Sequence, residues 1–219
     1  KKIRKPKALP PIEADEVPFA VPEGWEWTRV GMFAEVKGGK RLPKGHTLTK
    51  TPTPYVYIRV TDMKRGGIST NDLHYLNEDT HAHIARYIIN KADVYIVIVG
   101  ATIGKAGIIP DELDGMNLTE NAAKLVLSLM YKRYVLLAVR SGSLQEQFMG
   151  RIREQAQPKL ALKRIATSLV PTPPLAEQLR IVAKVDALMA LCDDLEARLT
   201  SAKTTRGAFA AAAVHHVDA

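Results

Sequence analysis

The stretch PTPPLAEQLRIVAKVDALMALCDDLEARL, residues 171–199, decides the architecture of the C-terminal part of this chain. Pro173 and Pro174 fit the first turn of a helix but not its interior, and Glu177 lies where a negative charge complements the helix dipole. Apolar side chains then recur at alternating intervals of four and three residues, which is typical of a coiled-coil seam. The seam consists of Ile181, Val185, Leu188, Cys192, Leu195 and Leu199. The pattern predicts one helix of roughly 40 residues, about 60 Å long, that pairs with a second helix.

Composition excludes several classes of protein. With 219 residues and 46% apolar content, the chain can bury one sizeable core and carry an appended element. Its single cysteine excludes a disulfide framework and fits a reducing compartment. No apolar run approaches the roughly 18 residues of a membrane span, and the N-terminal residues lack the apolar core of a signal peptide. We therefore expect a cytoplasmic protein.

The net charge of +8 is unevenly distributed. Residues 1–91 carry a net charge of +6 and residues 124–164 carry +7, whereas residues 92–123 carry −4 and residues 165–219 carry −1. Two parts of the chain before the long helix are therefore basic, and such a balance favours a polyanionic partner such as nucleic acid. A basic surface that is merely solvated is the alternative.

The chain divides into three zones. Residues 1–24 form a proline-rich basic arm or linker, residues 25–170 a globular domain, and residues 171–219 the long helix. In the globular domain the sequence predicts strands at 28–37, 55–60, 94–99, 107–109 and 124–129, and helices at 77–86 and 131–152. Because strands and helices do not alternate regularly, the predicted class is α+β: an irregular β-rich domain with short helices, followed by one long coiled-coil-forming helix.

Motifs that could carry catalysis are incomplete. GATIGKA (100–106) has three residues between its glycines instead of four, and Ala106 stands where a phosphate-binding loop needs Ser or Thr. Asp62 and Lys64 resemble half of a metal-dependent nuclease site, which would need further converging carboxylates. The histidines show no metal-ligand spacing and are expected to be surface or hydrogen-bonded residues. The sequence therefore predicts neither catalytic nor metal-binding residues.

Two glycine-containing basic loops remain as candidates for contacts with DNA. The loops span residues 37–45 and 59–67, and each follows a predicted strand. Lys105 lies on a third turn. Arginine can bind guanine through two hydrogen bonds, lysine neutralises phosphates, and glycine permits a close backbone approach. The candidate DNA-binding residues are Lys37, Lys40, Arg41, Lys44, Arg59, Lys64, Arg65 and Lys105.

Four segments of the chain resemble the specificity subunits of Type I restriction–modification systems. They are VPEGWEWTRVGMFAEVKGGK (21–40), YIRVTDMKRGGI (57–68), VGATIGKAGI (99–108) and the stretch 171–199. The last segment is highly specific to the family in its length and residue order, whereas each of the other three is a weaker signal by itself. The resemblance spans nearly the whole chain.

The resemblance implies a division of labour. Residues 25–170 would form a target-recognition domain that reads one half of a bipartite DNA sequence, and residues 171–219 would form the conserved spacer helix. The implied partners are double-stranded DNA and the methylation subunit, which would dock on the long helix, with the restriction subunit as a further candidate. Catalysis would belong to those subunits, which would hold S-adenosylmethionine, ATP and Mg²⁺, in a bacterium or an archaeon.

The length of the chain departs from the family pattern. A full specificity subunit of this family carries two recognition domains and two spacer helices, whereas this chain has room for one of each. We expect either a fragment or a natural half-subunit, which would pair with a second recognition half or with itself; self-pairing would make the target palindromic. The alternative function is a coiled-coil protein-interaction adaptor with a basic globular head.

Overall fold

The computed structural model describes residues 8–64, 67–150 and 158–215. The chain divides into two compact units, the first ending at Leu175 and the second beginning at Ala176. The described residues contain eleven short strands in four sheets, five short helices and one helix of 41 residues. This arrangement confirms the predicted α+β class.

The elements are numbered in chain order. The strands are β1 (Glu26–Arg29), β2 (Ala34–Gly38), β3 (Tyr57–Ile58), β4 (Met63–Lys64), β5 (Gly67–Ile68), β6 (Ile88–Ile89), β7 (Val94–Val97), β8 (Ala106–Gly107), β9 (Met116–Leu118), β10 (Ala122–Leu127) and β11 (Leu169–Thr172). The helices are α1 (Val30–Phe33), α2 (Glu78–Ile84), α3 (Lys132–Arg140), α4 (Gly142–Met149), α5 (Leu162–Thr167) and α6 (Leu175–His215).

Two sheets position the loops that the sequence singled out. One has four antiparallel strands in the order β2–β10–β7–β8, and the other has three strands in the order β3–β9–β6, with β3 parallel to β9. All four residues of β7 are buried, as its continuous apolar run predicts. Ile58, Tyr95, Val97 and Leu118, drawn from both sheets, belong to one hydrophobic cluster. The turn between β9 and β10 therefore joins the two sheets, which share one core.

The strand predicted at 28–37 is wrong as a single element. It is divided by α1, because β1 pairs with β11 whereas β2 pairs with β10 in a different sheet. The change of sheet requires a turn, and Val30 and Phe33 bury their side chains within it. The Val30 N–H donates to the Ser168 carbonyl at 2.9 Å, which ties this turn to the residues before β11.

The helix predicted at 131–152 is also wrong as a single element. α3 ends at Arg140 and α4 begins at Gly142, close to the glycine that marks the weak point of the pattern. Ser141 has an extended backbone with ψ of 149°, and its side chain accepts a hydrogen bond from the Leu144 N–H at 3.3 Å. A serine in this position caps a new helix instead of continuing the previous one.

The N-terminal residues of the described chain are fixed by Arg29. Its guanidinium donates to the carbonyls of Pro10 and Pro11 at 2.8 and 2.6 Å and to Glu16 at 2.6 Å. The same group donates to the Thr167 carbonyl at 2.7 Å. Arg29 is 3% exposed. Its buried charge is compensated by these hydrogen bonds and by the ion pair with Glu16.

The second unit is formed by α6. Its 41 residues correspond to about 60 Å at 1.5 Å per residue, as the seam predicts. Ile181 and Val185 are half-buried, Leu188, Leu195 and Leu199 are 49–71% exposed, and Cys192 is exposed as well. Burial of Cys192 in a coiled-coil seam would therefore require a partner helix. None of the helices in the described part of the chain has the length and apolar character needed to span a bilayer.

Candidate nucleic-acid interface

A cleft of about 430 Å³ lies between the two basic loops. It is bordered by the loop after β2, by the residues after β3 and by the turn between β9 and β10. Its lining residues are Arg41, Leu42, Leu48, Tyr57, Arg59, Val60, Thr61, Thr119, Glu120 and Asn121. The fold thus brings together Arg41 and Arg59, which the sequence placed in separate loops.

Arg41 is held at the cleft by Glu120. The Arg41 Nε donates to Glu120 Oε1 at 2.8 Å, while 80% of the Arg41 side chain remains exposed. The hydrogen bond to Glu120 raises the pKa of Arg41 above its ordinary value. Burial raises the pKa of Glu120, but the hydrogen bonds that it accepts, from Arg41 first, bring it below its ordinary value. The pair is therefore charged at neutral pH.

Tyr57 contacts Glu120 and the backbone next to Arg41. Its hydroxyl lies 2.8 Å from the Lys40 carbonyl and 3.2 Å from Glu120 Oε2. Burial first, and then the charge of Glu120, raises the pKa of Tyr57 to about 12. The neutral hydroxyl can therefore donate a hydrogen bond throughout the physiological pH range.

Gly39 explains how the first loop reaches the cleft. The backbone of Gly39 and Lys40 donates hydrogen bonds to the carbonyls of Ala122 and Leu118, at 3.0 and 2.9 Å. A Cβ at Gly39 would overlap the carbonyl oxygens of Thr119 and Leu118, so a residue with a side chain could not cross the turn here. Gly39 of the first basic loop thus has a structural role, because it allows the backbone to place Lys40 and Arg41 beside the cleft.

Arg59 belongs to a network of charged groups that orders the second loop. Its guanidinium donates to Asp62 at 2.6 and 3.1 Å, and to the carbonyl and carboxylate of Asp72 at 2.7 and 3.2 Å. Its Nη1 lies 3.1 Å from His74 Nε2. A contact between Arg59 and DNA would have to share a guanidinium already bonded to two carboxylates. The same network accounts for Asp62, which is 3% exposed and which the sequence associated with a nuclease site.

The other predicted DNA-binding residues differ in their exposure to solvent. Lys37, Lys40, Lys44 and Lys64 are exposed, and Lys37 forms an ion pair with Glu35 at 2.7 Å. Lys105 is half-buried, with its amine 3.5 Å from the Met63 carbonyl, so the third turn contacts the strand that carries Lys64. Arg65 lies outside the described residues.

A second basic cleft, of about 410 Å³, adjoins the first loop. It is lined in part by Lys37, Arg86, Tyr87 and Lys124. The Lys40 amine lies 5.6 Å and the Arg86 guanidinium carbon 4.9 Å from the centre of the Tyr87 ring, so two cations flank one aromatic ring. Sequence reasoning missed Arg86, since it is a single basic residue after α2 with no basic neighbour in the chain.

Basic groups clustered on one part of a domain are one of the marks of a nucleic-acid-binding protein. Residues 22–202 match the family model of the Type I restriction modification DNA specificity domain. The chain therefore belongs to this family, and the resemblance noted in the sequence is confirmed.

Relatives and solved structures agree with this assignment. The specificity subunit of the Escherichia coli Type I restriction enzyme EcoAI is 28% identical over 216 residues, which covers 94% of this chain and 35% of that subunit. The specificity subunit of E. coli EcoBI is 25% identical over 202 residues, or 87% and 40% of the two chains. This chain thus spans 35–40% of the length of these relatives.

The HsdS subunit from Thermoanaerobacter tengcongensis superimposes with a TM-score of 0.64 at 23% identity, over 83% of this chain and 46% of that chain. A chain from a type I R-M system gives a TM-score of 0.65 at 19% identity, over 81% and 41% of the two chains. At these identities the similarity shows a common fold.

Proposed function

We propose that this chain binds double-stranded DNA in a sequence-dependent manner and reads one part of a bipartite target. The observation that carries the proposal is the cleft in which Glu120 holds an otherwise exposed Arg41 between the two basic loops. Membership of the specificity-domain family supports it. The first unit would bind the DNA, and α6 would provide the surface for another helix and for the methylation subunit.

Arg41 is the proposed base reader. Its Nε is engaged by Glu120, so the far edge of the guanidinium can donate two parallel hydrogen bonds to the O6 and N7 of a guanine. The carboxylate fixes the orientation of the guanidinium and reduces the side-chain entropy lost on binding. Thr61, Thr119 and Asn121 line the same cleft and offer further donors and acceptors to base edges.

Phosphate contacts are assigned to the exposed lysines of the loops. Lys37, Lys40 and Arg86 surround the second cleft, and Lys44 and Lys64 lie on the two loops that border the first. Such contacts fix the register of the protein on the duplex and carry little sequence information. Arg59 and Asp62 would act indirectly, by ordering the loop that presents Lys64.

The long helix has the surface expected for pairing. Leu188, Leu195 and Leu199 are large apolar side chains, each about half exposed or more, and they lie on one predicted seam. Contiguous exposed apolar groups of this kind mark interaction surfaces. We propose that a second spacer helix covers the seam and that methyl transfer and cleavage are performed by partner subunits.

Selection from a random double-stranded DNA pool tests the proposal. The full chain is incubated with the pool at low and at moderate salt, bound DNA is recovered, and several rounds are sequenced. Enrichment of one short motif, with affinity that falls steeply with salt, supports sequence-dependent binding. A pool that stays flat at both salt concentrations contradicts it and favours an adaptor whose basic charge only confers solubility.

A further inference from the structure

Two histidines and one aspartate lie together beside the first basic loop. Asp79 and His83 are one turn apart on α2, and His46 belongs to the segment that follows Lys44. His46 Nδ1 is 3.7 Å from one carboxylate oxygen of Asp79, and His83 Nδ1 is 3.8 Å from the other. One possible ligand atom from each residue lies within 4.8 Å of one from each of the others. The fold thus gathers three metal-ligating side chains that are up to 37 positions apart in the sequence.

Each imidazole also has an outer partner. His46 Nδ1 is 2.7 Å from Thr80 Oγ1, and His83 Nδ1 is 2.8 Å from the Asp79 carbonyl oxygen. Where Nδ1 carries the proton and donates it to these oxygens, the Nε2 lone pair is left for a metal ion. Outer hydrogen bonds of this kind are typical of metal-binding histidines, because they set the tautomer and orient the ring. Thr80 is fully buried, and its N–H donates to the capping side chain of Asn77 at 2.8 Å, so this outer partner is itself fixed.

We propose that His46, Asp79 and His83 bind a divalent transition-metal ion of the Zn²⁺ type, with water completing the coordination. Two imidazole nitrogens and one carboxylate oxygen suit Zn²⁺, whereas Mg²⁺ prefers oxygen ligands alone. Ligands about 2.0–2.2 Å from a tetrahedral Zn²⁺ lie about 3.3–3.6 Å from one another. One possible ligand atom from each of the three residues lies within 4.8 Å of one from each of the others, so side-chain rotations would bring the ligands to that spacing.

The ion would fasten the first basic loop to α2. The His46 N–H donates to the Pro43 carbonyl at 3.1 Å, so this turn includes Lys44. A metal bond at His46 would restrict the segment that leads back to Arg41 and Lys40. The site makes no use of DNA, and its existence does not depend on the proposed function.

Metal titration of the full chain tests the site. His215 and His216 are first replaced by alanine, since two adjacent histidines near the C-terminus could bind metal by themselves. Calorimetric titration of this background protein with Zn²⁺ should show one ion per chain, and Co²⁺ should give the intense visible absorption of tetrahedral coordination. Zn²⁺ should raise the melting temperature, since a ligand that binds the folded state stabilises it. Mg²⁺ at the same concentration should do neither.

Matched variants separate the site from adventitious binding. His83→Gln and Asp79→Asn should each weaken Zn²⁺ binding about 10-fold or more and abolish the Co²⁺ spectrum. Glu78→Gln, the neighbouring exposed carboxylate on the same helix, should leave both unchanged, and far-UV circular dichroism should be the same for all variants. Absence of Zn²⁺ binding by the background protein would overturn the proposal, and so would a Zn²⁺ affinity in both ligand variants equal to that of the background protein.

Discussion

Arg41 Nε lies 2.8 Å from Glu120 Oε1, although the two residues are 79 positions apart in the chain. Arg41 is largely exposed, so solvent screens the pair and the pair contributes little to stability. Its consequence is geometric: the carboxylate from the β9–β10 turn sets the direction of a guanidinium on a different loop. A group that is oriented but still accessible is well suited to read a base edge.

Replacing Arg41 with alanine should remove sequence discrimination at one base pair of the selected target. The expected loss is about 1–3 kcal/mol, because that is the discrimination of a two-bond arginine–guanine contact. Competition binding between the selected duplex and its single-base variants measures it. Arg41→Lys is the matched control, since it keeps the charge but not the planar fork. It should retain affinity for unrelated DNA while losing the same discrimination; unchanged discrimination in both variants would remove Arg41 from the readout.

Replacing Lys44 with alanine should weaken binding to all duplexes by a similar factor. If Lys44 neutralises one phosphate, the slope of log K against log salt concentration should become shallower by about 0.9. Binding isotherms at four salt concentrations, on the selected and an unrelated duplex, provide the measurement. Lys203, an exposed lysine on α6, is the control, and Lys203→Ala should leave the slope unchanged. A base-specific loss in Lys44→Ala would contradict the assignment.

Loss of the buried ion pair between Lys124 and Asp93 should lower stability much more than loss of an exposed lysine. Their charged atoms are 2.9 Å apart, with side-chain exposures of 10% and 3%, and Asp93 also accepts a hydrogen bond from the Asn90 N–H. Lys124→Met leaves a buried carboxylate without its partner and should lower the free energy of unfolding by about 3–5 kcal/mol. Urea unfolding measures the change. Lys37 is the cross-strand neighbour of Lys124 but is exposed, so Lys37→Met should change stability by only about 0.5 kcal/mol.

The sequence predicted those features whose causes are local. The seam of α6 depends on residues three and four positions apart. The short helix predicted at 77–86 is present as α2, and Asn77 caps its first turn. The positions of the basic loops follow from the strands before them. These elements could therefore be located without knowing the fold.

Features that depend on distant partners could not be predicted. Arg59 follows a strand as expected, but the carbonyl and carboxylate of Asp72 that engage it come 13 residues later. The pairing of Arg41 with Glu120 depends on the β9–β10 turn, and that of His46 with Asp79 on the packing of α2. The division of the 28–37 strand has the same origin, since nothing local indicates that its two halves join different sheets.

Alkaline pH should destabilise the fold through its buried tyrosines. Burial raises the pKa of Tyr95 to about 12 from an ordinary value of 10.0, and its hydroxyl donates to the Gly67 carbonyl at 2.8 Å. Because the pKa is higher in the folded state, this contribution to stability is complete below pH 10 and is lost as the pH rises towards 12. Urea unfolding at pH values between 8 and 11.5 should show the decline. Tyr95→Phe, which cannot ionise, should give a shallower decline; identical curves would show that Tyr95 takes no part.

Replacing Leu188 with aspartate should disrupt helix pairing and leave the first unit folded. Leu188 is 50% exposed in the single chain and lies in the middle of the predicted seam, so a charge there would be desolvated if a second helix covered it. Sedimentation velocity measures self-association, and co-purification with a methylation subunit measures docking. Ala190→Asp is the matched control, because residue 190 is exposed and lies about 200° around the helix from residue 188. The control should associate normally, and both variants should keep the DNA affinity of a single recognition domain. If Leu188→Asp associates as well as Ala190→Asp, the seam is not the pairing surface and another face of α6 must carry it.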